Sequence, residues 1–327
     1  MHDERPIDDR FEEALRRAID AQCGADCPPR LAAAMRHGVF PAGARVRPRL
    51  LLAVADAFAA PLDAGALDVA VAIELMHGAS LVQDDLPCFD DAATRRAQPS
   101  VHAAFDERLA ILASDGLIMA AYQRLAEAPG VPPRARLRLV TLLARHSGSN
   151  GGITGGQAWE SEARVDLERY HAAKTGALFA ACTEAGAVLG GAPVDALPEW
   201  AALGARVGAA YQIADDLKDA TGDEAALGKP VNVDARLERP NATRQLGLEG
   251  ATQRLRDHVA ALLGAIPPCR RPERLQTAIL VEAARFMPVP PPGVPVPPPG
   301  VPVPPPGKEG SADRVADAVP NTRSDTA

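Results

Sequence analysis

Aromatic side chains are scarce in this chain, where phenylalanine, tyrosine and tryptophan together make up 4% of 327 residues. A sizeable core must therefore come from small and medium aliphatics, and the 47% hydrophobic content, rich in alanine, leucine and valine, supplies it. Strand-forming composition is lacking too. Alanine has the highest helix propensity and little side-chain entropy to lose, so an all-helical protein is expected. Positive charge is not in excess: the net charge of −7 argues against nucleic acid as a partner. No apolar run reaches the roughly 18 uncharged residues of a membrane span. The first residues, Met1-His2-Asp3-Glu4-Arg5, lack the basic and apolar regions of a signal peptide. The five cysteines, at 23, 27, 88, 182 and 269, are an odd number with no export signal, so reduced thiols are expected. Cys23 and Cys27 are four apart but have no second ligand pair, which argues against zinc. These exclusions describe a cytoplasmic protein.

What is present is carboxylate, in two clusters. The first is Asp84-Asp85-Leu86-Pro87-Cys88-Phe89-Asp90-Asp91 and the second Asp215-Asp216-Leu217-Lys218-Asp219. Each follows a largely apolar, helix-compatible run. Carboxylates this close repel one another, and a pocket tolerates them only with something cationic between. Hard oxygen donors that leave room for phosphate suit Mg²⁺, which takes one or two carboxylates plus phosphate and water. Two clusters across a cavity would clamp one diphosphate through metal ions. Pro87 should end the first helix, so Asp90 comes from the following loop and curls back. Asp215 and Asp219 share a helix face, while Asp216 points about 100° away.

The motifs around both clusters extend this reading. They are Gly43-Ala44-Arg45-Val46-Arg47-Pro48, Glu74-Leu75-Met76-His77, Arg95-Arg96, Pro99-Ser100-Val101-His102, Gly156-Gln157, Lys174-Thr175-Gly176, Tyr211-Gln212 and Gly228-Lys229-Pro230. In order and spacing, from about residue 10 to 287, the chain resembles the trans-polyprenyl diphosphate synthase family. The likeness is nearest to bacterial geranylgeranyl diphosphate synthases of carotenoid and bacteriochlorophyll pathways. It implies a single large helical bundle with a central cavity, acting as a homodimer. It assigns Mg²⁺, with Mn²⁺ as a substitute, to Asp84, Asp85, Asp90, Asp215 and Asp219, and places Asp216 among the catalytic residues. Arg95, Lys174, Thr175 and Lys229 would hold the allylic diphosphate, and Arg47, His77 and Arg96 the isopentenyl diphosphate. Gln212 would lie near the reacting carbons. Guanidinium forks match phosphate oxygens, which suits the arginines to this task.

The reaction implied is the condensation of isopentenyl diphosphate with allylic diphosphates to geranylgeranyl diphosphate. Ala79 and Ser80, five and four residues before Asp84, occupy positions where relatives set product length. Both are small, which favours the longer product over farnesyl diphosphate. Farnesyl diphosphate synthase remains the alternative, as does a weakly active paralogue serving as partner subunit. A terpene cyclase would not need Arg47, His77 and Arg96 for a second diphosphate. The chain departs from the family pattern at Ala44 and Ala103, where lysines are usual, at Gln83, where histidine is common, and at Ala97-Gln98. Loss of one charged hydrogen bond at Ala44 costs roughly 1.5–3 kcal/mol, part of which Arg45, Arg47 and Arg96 are expected to cover.

Helical periodicity runs from Phe11 to about Ile266, over Arg49–Phe58, Ala66–Val82, Leu109–Ala126, Arg134–Arg145, Leu167–Leu189, Glu199–Leu217 and Ala251–Leu263. The pairs Gly151-Gly152 and Gly155-Gly156 are expected to break a helix before Gln157. Residues 1–287 form one helical domain in this reading. From Pro288 the heptapeptide Pro-Val-Pro-Pro-Pro-Gly-Val repeats, and residues 288–327 read as a proline-rich extension that cannot be helical.

Overall fold

Local signals fix where most helices begin. Asp63 accepts from the backbone N–H groups of Gly65 and Ala66 at 3.0 and 3.2 Å, and Asp106 from that of Leu109 at 2.8 Å. These caps satisfy donors that the first helical turn leaves unpaired. Proline opens three other helices at their first position, where its missing N–H costs nothing.

The computed structural model describes residues 5–40, 43–221 and 242–286, all within one compact unit. Lys229 and the proline-rich segment 288–327 lie outside the described residues. In chain order the elements are α1 (Ile7–Gln22), α2 (Pro29–Val39), α3 (Val46–Ala57) and α4 (Ala64–Asp84). A two-residue antiparallel hairpin follows, β1 (Thr94–Arg95) with β2 (Gln98–Pro99), and then α5 (Val101–Ala104). Next come α6 (Glu107–Glu127), α7 (Pro133–Ser147), α8 (Ile153–Ala158) and α9 (Leu167–His171). A π-helical turn, Ala172–Gly176, joins α9 to α10 (Ala177–Leu189). The bundle is completed by α11 (Leu197–Thr221), α12 (Ala242–Gly264) and α13 (Pro272–Phe286). The all-helical expectation is met, with helix boundaries within a few residues except in α12. That helix starts earlier than its periodic stretch and is interrupted at Gly247, whose φ is +70°.

Two central helices carry the core. α4 packs chiefly on α6, and α10 on α11 and α3. Almost every α10 side chain from Ala177 to Val188 is buried, so its few polar groups need internal partners. Thr183 donates to the Trp200 carbonyl at 2.6 Å, and Glu184 is held by Arg145 and by His146 at 3.0 Å. Among the described residues α4 alone is long and apolar enough to cross a membrane, but 78% of its most apolar stretch is buried in the protein. It also carries Asp68 and Glu74. It reads as a core helix. All five cysteines are free thiols.

The glycine pairs correct one expectation. Gly151 and Gly152 do precede a helix, but Gly155 and Gly156 lie inside α8 rather than ending it. Their role is close approach. A Cβ on Gly156 would collide with the backbone of Lys174, and one on Gly155 with Ser149.

Candidate active site

α4 stops at Asp84, and the segment after it folds back over the helix end. The Asp90 N–H donates to the Asp84 carbonyl at 2.9 Å and the Ala92 N–H to that of Asp85 at 3.1 Å. Pro87 forbids helix continuation, and this return brings the Asp90 backbone to the helix end that carries Asp84 and Asp85. Asp85 is 2% exposed and paired with Arg95 through both carboxylate oxygens, one contact being Nε to Oδ2 at 3.2 Å. Such a fork is the strong form of carboxylate recognition. Burial raises the pKa of both Asp84 and Asp85; Lys174 opposes the shift at Asp84, and Arg95 at Asp85.

Lys174 comes from the π turn. Its Nζ lies 3.2 Å from Asp84 Oδ1 and 2.7 Å from Glu160 Oε1. Burial alone would lower its pKa, but Asp84, Tyr170 and Glu160 outweigh that and hold the ammonium firmly charged. Glu160 is fixed in turn by the Tyr170 hydroxyl at 2.6 Å and by Gln157 Nε2 at 3.1 Å. The next residue reaches the other way. Thr175 Oγ1 donates to Gln212 Oε1 at 3.1 Å, and Gln212 Nε2 donates to Asp216 Oδ1 at 3.0 Å. Adjacent residues of one turn thus connect α4 and its acidic cluster to α11 and the second. Asp215 and Asp219 are half-buried on α11, whereas Asp216 is 4% exposed.

A second cationic group gathers on α3, α4 and the hairpin turn. Arg47 Nη1 donates to His77 Nε2 at 3.2 Å, and its guanidinium stands 4.6 Å from the Phe179 ring centroid and 5.9 Å from that of Tyr211. Its Nε is buried without a hydrogen-bond partner. Burial, with Arg47, Arg96, Arg95 and Arg45 nearby, pushes the His77 pKa well below the usual histidine range. The ring is therefore neutral and accepts from Arg47 instead of adding charge. Arg96 Nη1 donates to the Val39 carbonyl at 3.2 Å. Arg96 and Ala97 both have positive φ, 54° and 59°, the pattern of a type I′ hairpin turn. A non-glycine residue there costs about 1–2 kcal/mol, so Ala97 adds strain to the turn that presents Arg96.

Arg45 does not join this group, contrary to its expected cover for Ala44. It is 6% exposed, and its fork is used on Glu12 at 2.8 Å, Glu74 at 2.5 Å and the Val39 carbonyl at 3.2 Å. Buried, with Nε and both Nη atoms bonded inside the protein, it is not free to meet a substrate phosphate. Residue types and spacing gave no signal for Glu160, Tyr170, Glu12 and Phe179, because their contacts bridge segments distant in sequence.

Of the two positions assigned to product length, Ala79 is 1% exposed and its carbonyl accepts from Ser114 Oγ on α6 at 3.1 Å. Ser80 is half-buried and donates to the His77 carbonyl at 2.8 Å. No three acidic, histidine or cysteine side chains among the described residues form a closed metal cage. Each cluster instead offers carboxylates at a helix end, which fits an ion that keeps water and takes phosphate oxygens as ligands.

Comparison with known proteins is consistent across sequence and fold. The polyprenyl synthetase family model matches residues 28–276. The chain is 47% identical over 284 residues to a geranylgeranyl diphosphate synthase of Rhodobacter capsulatus, covering 87% of this chain and 97% of that protein. It is 38% identical over 257 residues to a farnesyl diphosphate synthase of Geobacillus stearothermophilus, covering 76% and 85%. The fold matches a geranyltransferase of Helicobacter pylori solved with magnesium and isoprenyl diphosphate. That match has a TM-score of 0.70 and 27% identity, and covers 86% of this chain and 98% of that one.

Proposed function

Since the chain belongs to the polyprenyl synthetase family, we propose that it condenses isopentenyl diphosphate with allylic diphosphates to give geranylgeranyl diphosphate. The observation that carries this is the presence of two distinct cationic groups. One, Lys174 and Arg95, lies at the first acidic cluster. The other, Arg47 and Arg96 with neutral His77, neighbours it on α3, the hairpin turn and α4 and has hydrogen-bond partners of its own. One diphosphate needs one such group, and two diphosphates need two. This supports a chain-elongating transferase over a cyclase, and the family's geranylgeranyl relatives favour the longer product.

In this reading Lys174 and Arg95 hold the allylic diphosphate with its scissile bond towards the cavity. Arg47, stacked on Phe179, and Arg96 hold isopentenyl diphosphate beside it, so the two carbons to be joined are fixed in contact. Thr175 and Lys229 are assigned to the allylic side, and Gln212 to the vicinity of the reacting carbons. Asp84, Asp85, Asp90, Asp215 and Asp219 would hold magnesium, or manganese as a substitute, which would supply charge neutralisation on the departing diphosphate. The aliphatic walls of α4 and α10 exclude water from the allylic cation; the isopentenyl double bond attacks that cation, and the new cation then gives a proton to the departed diphosphate.

The test is incorporation of labelled isopentenyl diphosphate with dimethylallyl, geranyl and farnesyl diphosphates, expected to end at geranylgeranyl diphosphate. Arrest at farnesyl diphosphate would favour the Geobacillus-like alternative, and no incorporation would favour a partner subunit. We also assign the protein to the cytoplasm as a homodimer. Exposed Ile111, Leu112 and Met119 on α6, with Leu137 on α7, offer the apolar surface for pairing. Light scattering on the same preparation is expected to give twice the chain mass, and a monomer would remove this assignment. The catalytic domain is taken to end at Met287. Truncation there is expected to leave turnover and melting temperature unchanged, since proline repeats have no route into a helical core.

A further inference from the structure

We infer that Arg45, clamped between Glu74 and Glu12, is the positioning residue that sets the geometry of the isopentenyl diphosphate site; this rests on the reading of Arg47, His77 and Arg96 given above. Arg45 precedes α3 in the left-handed conformation, with φ +49°. A bulky residue adopts that conformation only when its surroundings over-determine it, and here the guanidinium does so. Its Nε and Nη1 bond carboxylates from α1 and α4, while Nη2 bonds the Val39 carbonyl at the end of α2. Three helices therefore fix one residue, and α3 starts from it.

What that anchor positions is the second cationic group. Arg47 lies two residues on, in the first turn of α3, and inherits its direction from the Arg45 backbone. The Val39 carbonyl that receives Arg45 Nη2 also receives Arg96 Nη1, each at 3.2 Å. A Cβ on Gly43 would sit 2.9 Å from Arg96 Nε, so the loop leading into Arg45 is in contact with the Arg96 side chain. Glu74, 3% exposed, serves both sides: it pairs with Arg45, and its charge opposes the lowering of the Arg96 pKa that burial and the neighbouring arginines cause. His77 follows Glu74 by one helical turn on α4. The pair thus touches the supports of Arg47, Arg96 and His77, yet Arg45 itself is buried away from substrate. With alanine at position 44 the site has no lysine there to compensate for a displaced arginine.

The test separates positioning from folding. Arg45→Ala would strand two carboxylates and risks unfolding the protein. Two milder variants are used. Arg45→Lys keeps the charge but not the planar fork. The double variant Arg45→Met with Glu74→Leu removes the buried pair together and fills the space with apolar volume, leaving only the partly exposed Glu12 without its partner. In steady-state assays both are expected to raise KM for isopentenyl diphosphate by about tenfold or more, the effect of losing one charged hydrogen bond. KM for the allylic substrate should stay within about twofold, because Lys174 and Arg95 are held by other partners. Unchanged KM for isopentenyl diphosphate in Arg45→Lys, or equal rises in both KM values, overturns the inference. If the double variant does not fold, Arg45→Lys decides alone. Failure of the wild-type protein to incorporate isopentenyl diphosphate would instead overturn the functional reading, before any variant is compared.

Discussion

Asp84→Ala is expected to lower turnover roughly a hundredfold or more, a loss of about 2.7 kcal/mol of transition-state stabilisation. Asp84 sits at the end of α4, 3.2 Å from the Lys174 ammonium, and in the proposed reading is the carboxylate through which the first cluster meets the allylic diphosphate. The fold should survive the change. Lys174 keeps its 2.7 Å contact with Glu160, so no buried cation is left alone. The variant's melting curve therefore distinguishes lost chemistry from lost structure. Chelation of divalent metal should abolish activity of the wild-type protein and be reversed by added Mg²⁺. Near-normal turnover of the variant, or of wild type in a chelator, would refute the assignment of metal and leaving group to this cluster.

Ala79→Phe is expected to change the main product from geranylgeranyl to farnesyl diphosphate while the earlier condensations continue. The position lies just over one helical turn before Asp84 on the same helix, a rise of about 7.5 Å. Ala79 is 1% exposed and sits where α4 and α6 meet, its carbonyl bonded to Ser114. A phenylalanine there must displace packed atoms, so about 1–3 kcal/mol of stability should be lost together with the change in product. Chromatography of the labelled products reads the length, and thermal denaturation reads the cost. Persistent geranylgeranyl product in a folded variant would move the length-determining position elsewhere, with Ser80 next to be tested.

The helical fold was legible because alanine and leucine recur at helical spacing and prolines and capping aspartates mark the starts. The acidic and basic motifs were legible as residue types. What each charge is doing was not. Arg45 read as a cation facing substrate, yet its partners Glu12 and Glu74 lie 33 and 29 residues away in sequence, and no local pattern announces them. Lys174 read as a phosphate ligand, but the Glu160–Tyr170 pair that supports it lies on other segments. Gly155 and Gly156 read as breakers because glycine usually is one. For Gly156 the reason is tertiary, the close passage of α8 against the π turn, and for Gly155 it is the Ser149 backbone of the loop before α8.

That π turn also makes the chain one residue out of phase. Residues 167–189 look like one continuous helix in sequence, but Ala172–Gly176 hold an extra residue in their turn. Each residue of a regular helix advances the face by about 100°. Deleting one residue from this turn would restore an ordinary helix and leave the buried face of α10 in register with α11 and α3. Everything before the deletion would rotate by more than a quarter of a circle, carrying the support of Lys174 away from Asp84 while Thr175 stayed with Gln212. A single codon therefore separates the scaffold from its chemistry, and a descendant of this chain could keep the bundle intact while losing the link between its two acidic helices.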